Sequence, residues 1–291
     1  MEKTGFIGLG IMGRPMALHL LKAGYTLSVL EKNKAAKELV AAGAQSFATP
    51  AAVAQNSDVV ITMLPDSPEV IAIVSGQDGV LEGIRKGALF IDMSTIAPAT
   101  SKNIYQLMQK KGVEALDAPV SGGQAGAESA TLSIMAGGAE QAFQRALPLF
   151  QAMGKNIVLI GEPGAGQMVK ACNQMIVGMT INAVAEAFTL AAKAGVDLVK
   201  LREVLLGGFA QSKILDLHGK RIIERNFTPG FKIKLHRKDM NIALQAGREF
   251  SVPLYGTAHV AAHMDALLAQ GKGELDHSAI ALLLEQLSNK Q

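Results

Sequence analysis

Disulfide chemistry is closed to this chain, because it holds a single cysteine, Cys172, and no intramolecular bridge can form. That points to a reducing compartment, read here as the cytoplasm, and Cys172 itself, with no base or motif beside it, is expected to be a small core residue. Tryptophan is missing, aromatics make up 4% and charged residues 18%, below the average for soluble domains. Lys and Arg exceed Asp and Glu by only three, and no run of five like charges occurs. Nucleic acid would call for a basic stripe, so it is not expected as a partner. A small positive excess suits an anionic cofactor and an acidic substrate equally well. The longest apolar stretch, Ile176 to Val196, is interrupted by Asn182, Glu186 and Lys193, and reads as a buried helix of a soluble protein rather than a membrane span. No signal peptide is read, since Thr4 to Gly13 runs directly as a strand and a glycine turn.

What is present is apolar material for cores, 49% of 291 residues, and length for about two domains. The 30 glycines gather in short clusters, as tight turns between elements require. In the first half, short β-rich runs (Lys3–Ile7, Thr26–Leu30, Val59–Met63, Ala88–Ile91, Val113–Asp117, Leu132–Ala136, Asn156–Leu159) alternate with amphipathic segments (Met12–Lys22, Lys34–Ala41, Pro68–Val74, Ala99–Lys110). Such alternation predicts βαβ units, an α/β Rossmann domain with a doubly wound, mostly parallel sheet over residues 1–162. After the cluster Gly161–Gly166 only helical periods follow: Gln167–Ala194, Leu198–Leu206, Ser212–Glu224, Lys238–Phe250, Val252–Ala269 and His277–Leu287. An all-α domain over residues 163–291 is expected, with the long helix linking the halves.

Gly8-Leu9-Gly10-Ile11-Met12-Gly13 follows an apolar strand and opens a helix. Gly8 can make the tight turn, Gly10 admits a pyrophosphate close to the backbone, and Gly13 lets helix and strand pack closely. The free amides of the new helix favour phosphates. Glu31, about 20 residues on, can accept from the ribose diol of NAD and repel a 2′-phosphate. Its neighbour Lys32 could instead hold that phosphate, so NAD is favoured and NADP stays possible. Asp117-Ala118-Pro119-Val120-Ser121-Gly122-Gly123 leaves a strand for a glycine-rich loop; amides and a hydroxyl at Ser121, Gly122 and Gly123 could cradle a carboxylate, though a tight turn without ligand reads as well. Lys170 and Asn173 share a face of the long helix in small, apolar surroundings. A partly buried ammonium can act as general acid, although a structural lysine paired with an acid is the plainer alternative. Met12, Met16 and Met63 read as core filler. Lys238-Asp239 is read as opening a helix after a loop carrying Phe231, Lys232 and Lys234, and as a solvated charge pair. His259 and His263 lie four apart with no acid in register, so no metal site is expected.

Taken in order, Gly8–Gly13 with Pro15-Met16-Ala17, Asp117–Gly123, Gly164-x-Gly166-x-x-x-Lys170-x-x-Asn173 and Lys238-Asp239 resemble the four signatures of the β-hydroxyacid dehydrogenases, from the N-terminus to about Ser288. Gly5–Gly13, Phe90–Pro98, Asp117–Gly123 and Asp276–Ala279 look most like the branch that reduces a small semialdehyde acid. The 3-hydroxyisobutyrate dehydrogenases follow. The NADPH-dependent glyoxylate/succinate semialdehyde reductases usually carry an Asn-Arg-Thr-like run where this chain has Glu31-Lys32-Asn33. The resemblance implies an NAD(P)-dependent oxidoreductase with Lys170 as general acid in reduction and base in oxidation. Asn173 would orient the reacting oxygen, Ser121, Gly122 and Gly123 would grip a substrate carboxylate, and Thr95 would touch the nicotinamide ribose. Met63, Leu64, Pro65, Phe231 and Lys238 are assigned to the cofactor site as well. The family's dimers and tetramers imply a homodimer or homotetramer, and an apolar helical half supports an interface. A cofactor-binding regulator without turnover, an imine reductase, which commonly replaces the lysine, and a sugar-phosphate decarboxylating enzyme are the other readings.

Overall fold

The computed structural model describes residues 1–32 and 34–289, so Asn33, part of the run read for cofactor choice, lies outside the described residues. The strands are β1 (Thr4–Ile7), β2 (Leu27–Leu30), β3 (Gln45–Phe47), β4 (Val59–Thr62), β5 (Leu89–Asp92), β6 (Glu114–Asp117), β7 (Val120–Ser121), β8 (Leu132–Gly138) and β9 (Gly154–Gly161). The helices of the first half are α1 (Gly13–Lys22), α2 (Ala36–Ala41), α3 (Pro50–Gln55), α4 (Ser67–Ser75), α5 (Val80–Gly83), α6 (Pro98–Lys110), α7 (Gly123–Glu128) and α8 (Glu140–Met153). Then follow α9 (Ala165–Lys193), α10 (Leu198–Leu206), α11 (Lys213–Ile223), α12 (Ile233–Glu249), α13 (Tyr255–Ala269) and, after a 3-10 turn at His277–Ala279, α14 (Ile280–Asn289).

Two compact units result, Met1–Lys170 and Ala171–Gln291. In the first, the strands order β3-β2-β1-β4-β5-β6-β8-β7, with β9 on β8. All pairings from β3 through β6 are parallel, whereas β8 runs antiparallel to β6 and β7. Alternation decides which face each side chain takes. Phe6, Val59, Ile61, Leu89 and Ile91 join one core with Met16 and Leu20 of α1 and Phe150 of α8. Ile7, Val60 and Phe90 point the other way, into a core with Val53 of α3, Val70 and Val74 of α4 and Met108 of α6. The doubly wound, mostly parallel sheet is therefore as expected, with the ends of β1, β2, β4, β5, β6, β8 and β9 within one or two residues of the expected ones, whereas β3 and β7 have no counterpart among the expected strands.

Several elements lie outside the alternation pattern. β3 carries mostly exposed polar residues and is held by β2 at the sheet edge. Helix α8 contains Pro148, and forms because Phe143, Ala146, Leu149, Phe150 and Met153 bury one face. The short α3 starts where Thr49 accepts from the Ala52 amide, with Pro50 at the first position.

The second unit is helical throughout, with one isolated bridge, Lys232 to Asp276, among the described residues. Its core joins Ile181, Val184, Ala185 and Phe188 of α9 to Leu215, Ile222, Met240, Val260, Met264 and Ile280. Helix α9 is long and apolar enough to cross a membrane by length and composition. It packs one face into this core and leaves Ile176 and Leu190 exposed. Cys172 falls on an exposed face of α9, which corrects the expectation of a core residue. Helix α12 begins at Ile233, five residues before the expected Lys238. No side chain caps that start. Tertiary contacts hold it instead: Lys232 and Lys234 both pair with Glu274, and the Ile233 amide donates to the Leu275 carbonyl.

Candidate active site

Five loops that carry assigned residues follow parallel strands at one edge of the sheet. In open α/β sheets, ligands bind outside the carboxyl ends of the strands, where the strand order reverses. Here the reversal lies between β1 and β4. Gly8–Gly13 follows β1, Glu31 and Lys32 follow β2, Met63-Leu64-Pro65 follows β4, Thr95 follows β5, and Ser121–Gly123 lies just beyond β6.

The three glycines of the first turn serve different needs. Gly8 has φ +108°, and a Cβ there would lie 2.2 Å from the Met63 carbonyl oxygen. A Cβ on Gly13 would lie 1.9 Å from the Gly8 carbonyl oxygen, so α1 can approach β1 only with glycine there. A Cβ on Gly10 would meet nothing within 4 Å. Internal packing does not demand a glycine at position 10, whereas a pyrophosphate approaching the backbone does. The residues present thus fit a dinucleotide. Ile11 is exposed and Leu9 buried; Met12 and Met63 pack partly buried against the core, in agreement with a filling role. Glu31 and Lys32 are exposed, and the Glu31 amide donates to the Phe47 carbonyl of β3.

Polar contacts fasten these loops to one another. Asp92, buried at the end of β5, accepts from the Thr62 hydroxyl (2.8 Å) and the Ser94 amide (3.1 Å). The Ser94 hydroxyl accepts from the Leu64 amide at 2.8 Å. Thr95 is thereby set in a loop whose neighbours are fixed on both sides.

Ser121, Gly122 and Gly123 do not form a free loop. Val120–Ser121 pairs with Ile134 and Ser133 of β8, and Gly123 opens α7. This corrects the loop reading: Ser121 ends a short strand, and Gly122 alone separates it from α7. Gly122 and Gly123 both have positive φ, +137° and +61°, and Ser121 is half-buried at the turn.

Lys170 is 6% exposed. Its helix starts against the sheet through Asp117, whose Oδ1 accepts from the Gly164 amide at 2.6 Å and Oδ2 from the Gln167 amide at 2.8 Å. Burial pushes the Asp117 carboxyl up to about 6; the two amides oppose the rise and the nearby Asp92 charge adds to it. Gln167 completes the attachment: its Oε1 accepts from the Ile96 amide and its Nε2 donates to the Ser94 carbonyl. The sequence contains both residues inside recognisable motifs, but their joint role depends on a contact 50 residues apart.

Asn173, three residues beyond Lys170 on α9, donates through Nδ2 to Gln174 Oε1 at 2.7 Å. Gln174 Nε2 donates in turn to Asp239 Oδ2 at 2.6 Å, and Lys238 pairs with Asp239 Oδ1 at 2.8 Å. Asp239 is buried, so the expectation of a solvated pair is overturned. The earlier helix start places both residues in the second turn of α12, with Asp239 facing Gln174. Phe231 stacks edge-on against His277 in the same unit.

A grouping invisible in the sequence spacing is His218, Asp276 and His277, whose candidate ligand atoms lie within 4.8 Å of one another. His277 contacts His236 Nδ1 at 2.9 Å and His218 Nε2 at 3.2 Å. Burial, then the neighbouring His236 and His218, hold His277 well below the usual imidazole range. Asp276 accepts from the Gly230, Phe231 and Ser278 amides and the Ser278 hydroxyl, with Arg221 at 3.4 Å. Burial alone would raise its carboxyl, yet His218, His277 and these donors hold it well below the usual range. Such a donor-saturated carboxylate serves a structural anchor better than a metal.

Residues 3–161 match the NAD-binding domain of 6-phosphogluconate dehydrogenase, and residues 164–284 match a domain described as the NAD-binding one of NADP-dependent 3-hydroxyisobutyrate dehydrogenase. The chain is 46% identical to 2-hydroxy-3-oxopropionate reductase of Escherichia coli, over 99% of this chain and 98% of that one. It is 38% identical to an NAD-dependent L-serine dehydrogenase of Pseudomonas aeruginosa, over 98% of both chains. Among solved structures, 3-hydroxyisobutyrate dehydrogenase of Mycobacterium tuberculosis with L-serine superposes at a TM-score of 0.90, with 34% identity, 98% of this chain and 99% of that chain covered.

Proposed function

The chain belongs to the β-hydroxyacid dehydrogenases, NAD(P)-dependent oxidoreductases, and from that premise we propose that it reduces tartronate semialdehyde to glycerate in the cytoplasm. The observation that carries the substrate is the near-complete alignment with the Escherichia coli reductase. Residues 1–162 would bind the dinucleotide, and residues 163–291 would serve substrate selection and assembly.

When bound, the reduced nicotinamide supplies the hydride. Gly8 to Gly13 would hold the pyrophosphate, with Met63, Leu64, Pro65, Thr95, Phe231 and Lys238 around the remainder of the cofactor. Ser121, Gly122 and Gly123 would bind the substrate carboxylate. Asn173 would orient the carbonyl oxygen, and the Lys170 ammonium would deliver a proton to it as negative charge develops. The near-complete burial of Lys170 supports this role, since an ammonium screened from water transfers its proton in a defined direction. Glu31, beside Lys32, would favour NADH by repelling a 2′-phosphate.

Absorbance at the nicotinamide band tests both parts. With NADH, kcat/KM for tartronate semialdehyde should exceed that for methylmalonate or succinate semialdehyde by at least about tenfold, the discrimination a modest pocket difference provides. With tartronate semialdehyde, NADH should exceed NADPH by about tenfold, as one unfavourable charge contact gives. A higher value for methylmalonate semialdehyde would move the substrate to the 3-hydroxyisobutyrate branch, and a preference for NADPH would hand the choice to Lys32.

We also infer a homodimer or homotetramer. The helical unit leaves Leu190, Val204, Phe209 and Tyr255 largely exposed, side chains that an interface between copies would cover. Light scattering should return two or four times 30.5 kDa, and a monomer mass would refute this.

A further inference from the structure

We propose that Asp117 and Gln167 are positioning residues for Lys170: they root the first turn of α9 on the carboxyl ends of β5 and β6, and proton transfer depends on that root. The proposal rests on the reading of Lys170 as general acid.

Each half of the root is visible in the contacts. Asp117 is 4% exposed and spends one carboxylate oxygen on the Gly164 amide and the other on the Gln167 amide. The amides at a helix start carry partial positive charge and lack partners within the helix, so an ionised carboxylate there is a strong acceptor. Close approach is possible because the surroundings are glycine. A Cβ on Gly137 would lie 2.6 Å from Asp117 Oδ1, and one on Gly166 would lie 2.2 Å from the Met135 carbonyl oxygen and 2.9 Å from Asp117 Oδ2. The Gly164-x-Gly166 spacing is therefore a docking requirement of the helix, with Lys170 four residues beyond Gly166 on the same side. Gln167 then clamps the peptides on either side of Thr95, taking the Ile96 amide and giving to the Ser94 carbonyl. One turn of helix thus ties Lys170 to the loop assigned to the nicotinamide ribose.

The root should respond to pH. The groups facing Asp117 are Asp92 on β5 and, from α6, Tyr105 lining the same small cavity, while the Lys102 methylenes pack beneath Gly164. Protonation of Asp117, whose carboxyl sits near 6, replaces a charge-assisted cap by a neutral one. In the reductive direction Lys170 gives up a proton, and acid makes protons no scarcer. Loss of the acid fall in D117N is what assigns that fall to Asp117.

The experiment measures kcat and KM for reduction of tartronate semialdehyde from pH 5 to 9 in wild type, D117N and Q167M, with NADH affinity by fluorescence. Wild type should lose kcat below about pH 6. D117N should lose about 10²-fold in kcat at neutral pH, as a misplacement near 1 Å costs, with KM and NADH affinity little changed and no acid fall. Q167M should lose kcat and keep the acid fall, and it carries the test if D117N is not recovered folded. Wild-type kcat with an unchanged acid fall in D117N, or wild-type kcat in Q167M, overturns the proposal. A wild-type enzyme inactive on every semialdehyde would instead defeat the function reading on which it rests.

Discussion

Replacing Lys170 by alanine should lower kcat by about 10²–10⁴-fold, the range that a positioned general acid contributes. The loss should appear in kcat and kcat/KM together, because the proton is delivered only as charge builds on the oxygen. NADH titration should give nearly wild-type affinity, since the glycine turn that would hold the pyrophosphate is shaped by close packing on the Met63 and Gly8 carbonyls, in which Lys170 takes no part. Lysine is suited to the task because its ammonium can release a proton at neutral pH, whereas a guanidinium cannot. Arginine at 170 should therefore fail to restore turnover although it keeps the charge. A structural lysine behaves differently: alanine would lower thermal stability while the folded fraction kept its rate. Near-wild-type kcat in Lys170→Ala would remove the general-acid role and revive the reading of a cofactor-binding protein without turnover.

The fold was legible in the sequence where local pattern and tertiary outcome coincide. Strand β1, the glycine turn and α1 are contiguous, so Gly8, Gly10 and Gly13 announce their geometry through spacing alone. The parallel sheet follows from alternation, because strands buried on both faces are runs such as Val59–Thr62. Elements carried by tertiary contact are a different matter. Helix α8 contains Pro148 and survives on buried Phe143 and Phe150. Helix α12 starts at Ile233 because Glu274, forty residues on, pairs with Lys232 and Lys234. Cys172 sits among small apolar neighbours in sequence, yet its helix buries only one stripe and the thiol falls outside it. Within the candidate site, the residue types of the four motifs were legible, and what holds them was not. Asp117 could be read only as the start of a glycine-rich segment, because its partners, the Gly164 and Gln167 amides, are brought to it by folding. Asp239 likewise looked like half of a surface pair until Gln174 was placed over it.

The most direct measurement of the central claim compares two substrates that differ only at the group the Ser121-Gly122-Gly123 turn would bind. Tartronate semialdehyde carries a carboxylate where glyceraldehyde carries a hydroxymethyl group. Amides at Gly122 and Gly123, both with positive φ, and the Ser121 hydroxyl suit an anion. A neutral group leaves such donors unpaired, and a site built on hydrogen bonds rejects an analogue lacking its partner by about 10⁴-fold. Ser121→Ala should cut the preference by about 10-fold or more, since a hydrogen bond to a charged group is worth about 1.5–3 kcal/mol. The readout is kcat/KM with NADH for the two aldehydes, wild type beside Ser121→Ala. The account predicts a wild-type ratio of about 10⁴ in favour of the acid, narrowed by the substitution. Equal kcat/KM for the two aldehydes in the wild-type enzyme would contradict it.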